Sequence, residues 1–136
     1  MIQKYDKGNG ERRRNRKFSA ISSYLPVKPL SVNKAYTGRK RRSVWLKAYS
    51  REVLSELPEG SVPRNVNLQL DITFGVSNRS NDADNLLKPL IDCLQEKYDF
   101  NDNQIFHIRV WKKLVKKGNE YVNWMLKVYN EEVSER

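Results

Sequence analysis

Asp82, Asp84, Lys88 and Asp92 fall within one run, Asn81-Asp82-Ala83-Asp84-Asn85-Leu86-Leu87-Lys88-Pro89-Leu90-Ile91-Asp92, and Asp102 follows in Asn101-Asp102-Asn103-Gln104. Carboxylates collected on an otherwise basic chain suit a divalent cation held where a nucleic-acid phosphate docks. The spacing of Asp84, Lys88 and Asp92 predicts one shared helix face. Asp82 stands just ahead of that helix, and a short return of the chain is expected to bring Asp102 back to the same sheet edge. Three such carboxylates would make a hard oxygen site for Mg²⁺ or Mn²⁺. An ion there could polarise a scissile phosphate and lower the pKa of a bound water, with Lys88 meeting the charge that develops on the phosphate. A plainer reading stays open. Acids at a helix start suit the macrodipole, and Asp84–Lys88 and Lys88–Asp92 are ordinary i,i+4 pairs, each contributing roughly 0.2–0.5 kcal/mol.

Other chemistry is poorly represented. His107 is the only histidine and Cys93 the only cysteine, which argues against zinc, an internal disulfide and histidine-based nuclease sites. No glycine-rich phosphate loop is present, so no nucleotide cofactor is expected. The 136 residues fit one domain, and 26 Lys+Arg against 16 Asp+Glu give a formal charge of +10. That balance favours a polyanionic partner. No apolar run reaches the length of a membrane span and no secretory leader is evident, so a cytoplasmic protein is expected, without a membrane partner.

The elements that must position these residues are legible in outline. Residues 1–17 read as a flexible basic tail, 18–130 as the domain and 131–136 as a polar C-terminal tail. Thr37-Gly38-Arg39-Lys40-Arg41-Arg42 reads as an exposed basic loop. Ser43 is a candidate N-cap for a helix in which Trp45, Tyr49, Val53 and Leu57 recur every four residues. Core packing is the expected role of Trp45 and Tyr49, ahead of a base-stacking platform. Val66, Leu68, Leu70, Ile72, Phe74 and Val76 alternate with polar residues and predict a strand with one buried and one polar face. The acidic run then opens a second helix, with Asn85 as candidate N-cap. Two further alternating segments, Phe106–Val110 and Val122–Val128, predict a β-hairpin joined by a basic connection.

The pattern Asp82-x-Asp84-Asn85-x-x-Lys88-x-x-x-Asp92-x-Leu94 followed by Asp102-x-Gln104, with Leu25-Pro26, Pro29, Ser31 and Asn33 upstream, resembles the RusA family of Holliday-junction resolvases. The resemblance covers roughly Phe18 to Tyr129. It implies a small single-domain α+β fold, a mixed β-sheet of about four strands packed with two helices, and a homodimer with two active sites. It also implies Mg²⁺-dependent, paired symmetric nicking of a four-way DNA junction that leaves 5′-phosphate ends. Asp82, Asp84 and Asp102 become metal ligands and Lys88 a catalytic lysine. Asn85 and Asp92 become supporting residues, Asn85 orienting the aspartates and Asp92 partnering Lys88. Arg39, Lys40, Arg41, Arg42, Arg79, Lys112, Lys113, Lys116 and Lys117 are the expected phosphate contacts. Two departures stand out: only Asp102 is charged where some members carry paired acids, and Asn81 stands where some carry arginine. A non-catalytic basic nucleic-acid-binding module, or a nuclease acting on other branched DNA or RNA, are the alternatives.

Overall fold

The computed structural model describes residues 18–37 and 41–130. The basic tail before Phe18, the residues Arg39 and Lys40, and the polar C-terminal tail lie outside the described residues. In chain order the elements are β1 (Ala20–Leu25), a single-turn helix α1 (Val32–Ala35), β2 (Tyr36–Thr37), β3 (Arg41–Arg42), α2 (Val44–Glu56) and β4 (Leu68–Val76). A 3-10 turn (Ala83–Leu86) then enters α3 (Leu87–Tyr98). A second 3-10 turn (Asp102–Gln104), β5 (Ile105–Leu114) and β6 (Tyr121–Val128) complete the fold.

Four strands form a mixed sheet in the order β1-β6-β4-β5. β4 is antiparallel to β6 and parallel to β5, and β6 is antiparallel to β1. The short strands β2 and β3 pair separately, Tyr36 opposite Arg42. The architecture is α+β, as expected, with α1 as a third, one-turn helix beyond the two anticipated. Its start is set by Ser31, whose hydroxyl accepts from the Lys34 N–H at 3.4 Å.

One expectation fails here. The last two long strands do not form a hairpin, because β4 lies between them. The alternation of β5 and β6 fits a hairpin equally well, but β4 is the most thoroughly buried strand and takes a partner on each edge. The basic connection instead passes the end of β4, where the Val115 N–H donates to the Val76 carbonyl at 2.8 Å. β5 is reached from β4 through α3, and a parallel pair requires such a crossover.

The inner face of β4 is as the alternation predicts: Leu68, Leu70, Ile72, Phe74 and Val76 are all buried. They pack with Leu46, Tyr49 and Val53 of α2 and with Leu90, Cys93 and Leu94 of α3. The other face is less open than expected. Gln69 and Gly75 are buried and Asp71 is half-buried, because side chains of the flanking strands lean over it. At Gly75 an added Cβ would sit 2.2 Å from the Tyr121 ring, so only glycine admits that ring, which also stacks on Tyr24 at 5.2 Å. β5 differs from its neighbours in being exposed along most of its length. Phe106, Ile108, Trp111 and Leu114 are four of the eight exposed large apolar side chains among the described residues, and all four lie on this edge strand.

Candidate active site

The acidic run begins where β4 ends. Ser77–Asn81 leads off the strand, and Asp82 occupies the cap position of the first 3-10 turn in an extended conformation without capping it through its side chain. Asp84 lies inside that turn. Both aspartates are exposed, and neither carboxylate has a hydrogen bond or ion pair to another described residue. Of the plainer reading, the Asp84–Lys88 pair is absent, while Asp84 does stand in the first turn, where an acid suits the macrodipole. Asp84 precedes the α-helix, so Asp84, Lys88 and Asp92 do not form one continuous helical stripe.

Lys88 and Asp92 do share a helix face, with Lys88 Nζ 3.3 Å from Asp92 Oδ2. Tyr36 also donates its hydroxyl to that oxygen at 3.4 Å, which ties the β2–β3 ribbon to α3. Asn85 is not the helix cap. It lies within the turn and donates its backbone N–H to the Asp82 carbonyl at 3.1 Å, while Leu86 holds the cap position of α3. Pro89 is consequently the third residue of α3, where its missing N–H has no intrahelical acceptor to lose.

The structure does not bring Asp102 to this place. β4 and β5 are parallel, so the end of β4 and the beginning of β5 lie at opposite ends of the sheet. Asp82 and Asp84 follow the end of β4, and Asp102 precedes the start of β5. The twelve residues of α3 span about 18 Å between them. No group of three or more His, Cys, Asp or Glu side chains able to hold a metal occurs among the described residues. The expected short return is a full crossover. Asp102 is exposed but firmly placed: Asn101 accepts from the Asn103 N–H, and the Gln104 side chain accepts from the Asn101 N–H at 3.0 Å. The Gln104 amide also donates to the Pro63 and Val66 carbonyls at 3.0 and 2.9 Å, and Gln104 is buried. Its anchoring role was not anticipated, although the Asn-x-x-Gln spacing is a capping-box signal.

The basic residues divide. Lys112 donates to the carbonyls of Arg79 and Asn81, so it staples the loop that precedes Asp82. Lys113 lies on the opposite face of the same strand. Arg79, Lys116 and Lys117 are exposed at the acidic end of the sheet, where β5 stops. Arg41 and Arg42 form β3.

Beside this loop is a cleft of about 520 Å³, lined by Lys28, Asn33, Lys34, Trp45, Asn78 and Asn81 among others. Trp45 is 53% exposed there, so the core role expected for it is wrong, although Tyr49 is buried as expected. Four-residue steps drift about 40° each around a helix, and Trp45 has turned off the face that Leu46, Tyr49 and Val53 bury. Lys34 Nζ lies 5.5 Å from the centroid of the indole.

The family model of endodeoxyribonuclease RusA matches residues 26–124. No curated protein matches the chain significantly. Among solved structures, CetZ1 from Haloferax volcanii, described as a GDP-bound monomer, gives a TM-score of 0.37 at 5% identity over 97% of this chain. The chain spans 35% of the length of that protein, and a likeness at this level carries no argument about fold or function.

Proposed function

Because the chain belongs to the RusA family of endodeoxyribonucleases, we propose that it resolves four-way DNA junctions by paired nicks, as a homodimer that uses Mg²⁺. The observation that carries this reading is the pair of exposed carboxylates of Asp82 and Asp84, without partners among the described residues, at the edge of a basic sheet end. Their donor set fits the ion, since magnesium takes hard oxygen ligands and commonly only one or two carboxylates beside substrate phosphate. When bound, such an ion supplies Lewis-acid activation of the phosphate and of a water. Lys88, held by Asp92, whose carboxylate also accepts from the Tyr36 hydroxyl, would face the phosphate as a fixed positive charge. Lys112 would keep Asp82 in place by fixing the loop, and Arg79, Lys116 and Lys117 would meet flanking phosphates.

Asp102 joins such a site only across two chains. β5 offers the seam: its outer edge has no partner among the described strands, and its exposed side chains are rich in apolar surface. Asp102 lies just before its start, and Lys112 and Lys113 lie near its end. Antiparallel pairing with a second β5 matches acid to base and carries Asp102 of the partner subunit toward Asp82 and Asp84. Two symmetric sites then serve two opposed strands.

Mixing singly inactive chains tests this arrangement. Asp82→Asn and Asp102→Asn should each lose cleavage of a synthetic junction in Mg²⁺ while retaining binding. Co-refolded, they should regain nicking of one strand, because each mixed dimer holds one wholly intact site. A mixture that stays inactive, although mixed dimers form, would refute the shared site. A wild-type protein that binds junctions without cutting them in Mg²⁺ or Mn²⁺ would refute the enzyme.

A further inference from the structure

We propose that the cleft beside the acidic turn holds one unstacked nucleobase of the DNA, from the nucleotide adjoining the phosphate that faces Asp82 and Asp84. The inference rests on the proposed cleavage site and adds to it a pocket that reads a single base. Three observations meet in the cleft. Trp45 presents a half-exposed indole to it, the kind of flat surface on which any base stacks. Asn33, Asn78 and Asn81 line it, residues whose amides can donate and accept along a base edge, although Asn78 Oδ1 already accepts from the Ser80 N–H. Lys28 and Lys34 bring cations for the neighbouring phosphates, and Lys34 already lies over the indole.

Position decides what the cleft is for. Asn81 lines it and is bonded directly to Asp82, about 3.8 Å away between Cα atoms, and Asp84 follows two residues later, so the cleft adjoins the acidic turn. A strand laid with its phosphate at the aspartates therefore has its next base beside the cleft that Trp45 lines. The cleft's size of about 520 Å³ lies within the range of sites for small organic groups, roughly 300–1,000 Å³. A paired, stacked base cannot enter, whereas the unpaired or strained bases at a branch point can, at the smaller unstacking cost of bases outside a regular duplex. The pocket thus favours branched over continuous duplex through the base itself, in addition to the backbone.

A binding cycle in chelator, where no cleavage occurs, tests this with the full-length protein. Four-way junctions carrying a single abasic nucleotide, moved stepwise across the branch point, are titrated with wild type, Trp45→Ala and Trp45→Phe. At one position, base removal should weaken wild-type binding about tenfold. Trp45→Ala should bind the intact junction about tenfold more weakly and show no further loss on base removal, and Trp45→Phe should restore most of the coupling. Equal sensitivity of wild type and Trp45→Ala to base removal at every position would overturn the proposal. Thermal melting of the variants checks the fold, which the exposed position of Trp45 should leave intact. The result is independent of cleavage: coupling without nicking in Mg²⁺ would reject the enzyme and keep the pocket, and nicking without coupling would do the reverse.

Discussion

At the scale of single residues, acids of the same type do different work according to their partners. Asp82, Asp84 and Asp102 are exposed and free of partners among the described residues. Asp71, on the open face of the sheet, is fully engaged. Arg109 donates to both of its oxygens at 3.0 Å, and Gln69 adds a third bond. The Arg109 bonds hold the Asp71 carboxyl below its ordinary value of 3.8, against the opposing effect of its partial burial. A depressed folded pKa gives stability that is complete above the unfolded value and is lost as pH falls through the folded one. Asp71→Asn should therefore be less stable than wild type at neutral pH, with the difference shrinking below about pH 4. Urea midpoints across the acid range check this; a pH-independent difference would show that Arg109 is not the cause. Residue type alone does not distinguish Asp71 from Asp82, Asp84 and Asp102. Position does so: the unpaired acids cluster outside regular strands, and Asp71 alternates within one. Trp45 was misread for a related reason, since a four-residue recurrence does not say which members have drifted off the buried face.

At the scale of elements, the β4–α3–β5 crossover organises the molecule. It places Asp82 and Asp84 at one end of the sheet and Asp102 at the other. The helix itself is legible from Leu86, Leu87, Leu90, Ile91 and Leu94, and so are β4, β5 and β6. Their order is not. Periodicity reports which face of a strand is buried and is silent about which neighbour covers each edge, so β5 and β6 were read as a hairpin. The second 3-10 turn depends on one buried amide. Gln104→Ala would leave the Asn101 N–H and the Pro63 and Val66 carbonyls without their partner, a cost of about 2–3 kcal/mol. A chemical-denaturation midpoint would measure it. A loss well below about 1 kcal/mol would mean that solvent replaces those bonds and that the turn is not pinned by Gln104.

At the scale of the whole molecule, a net charge of +10 arises from 26 Lys+Arg against 16 Asp+Glu. Lys116 and Lys117 stand at the sheet end that carries Asp82, so their positive charge falls beside the proposed cleavage site. Replacing both with alanine should lower junction affinity and reduce the dependence of log K on log salt by about 2. Titrations at several salt concentrations read this directly, and an unchanged slope would place the phosphates elsewhere. The alanine pair leaves the acids untouched, so nicking at saturating protein should persist. The separation of Asp102 from Asp82 along α3 has a kinetic consequence under the two-chain reading. Below the dissociation constant of the dimer, the rate of cutting rises with the square of protein concentration. A cell that makes only a few copies then keeps an inert nuclease, and a modest rise in synthesis turns it on steeply, with no inhibitor required.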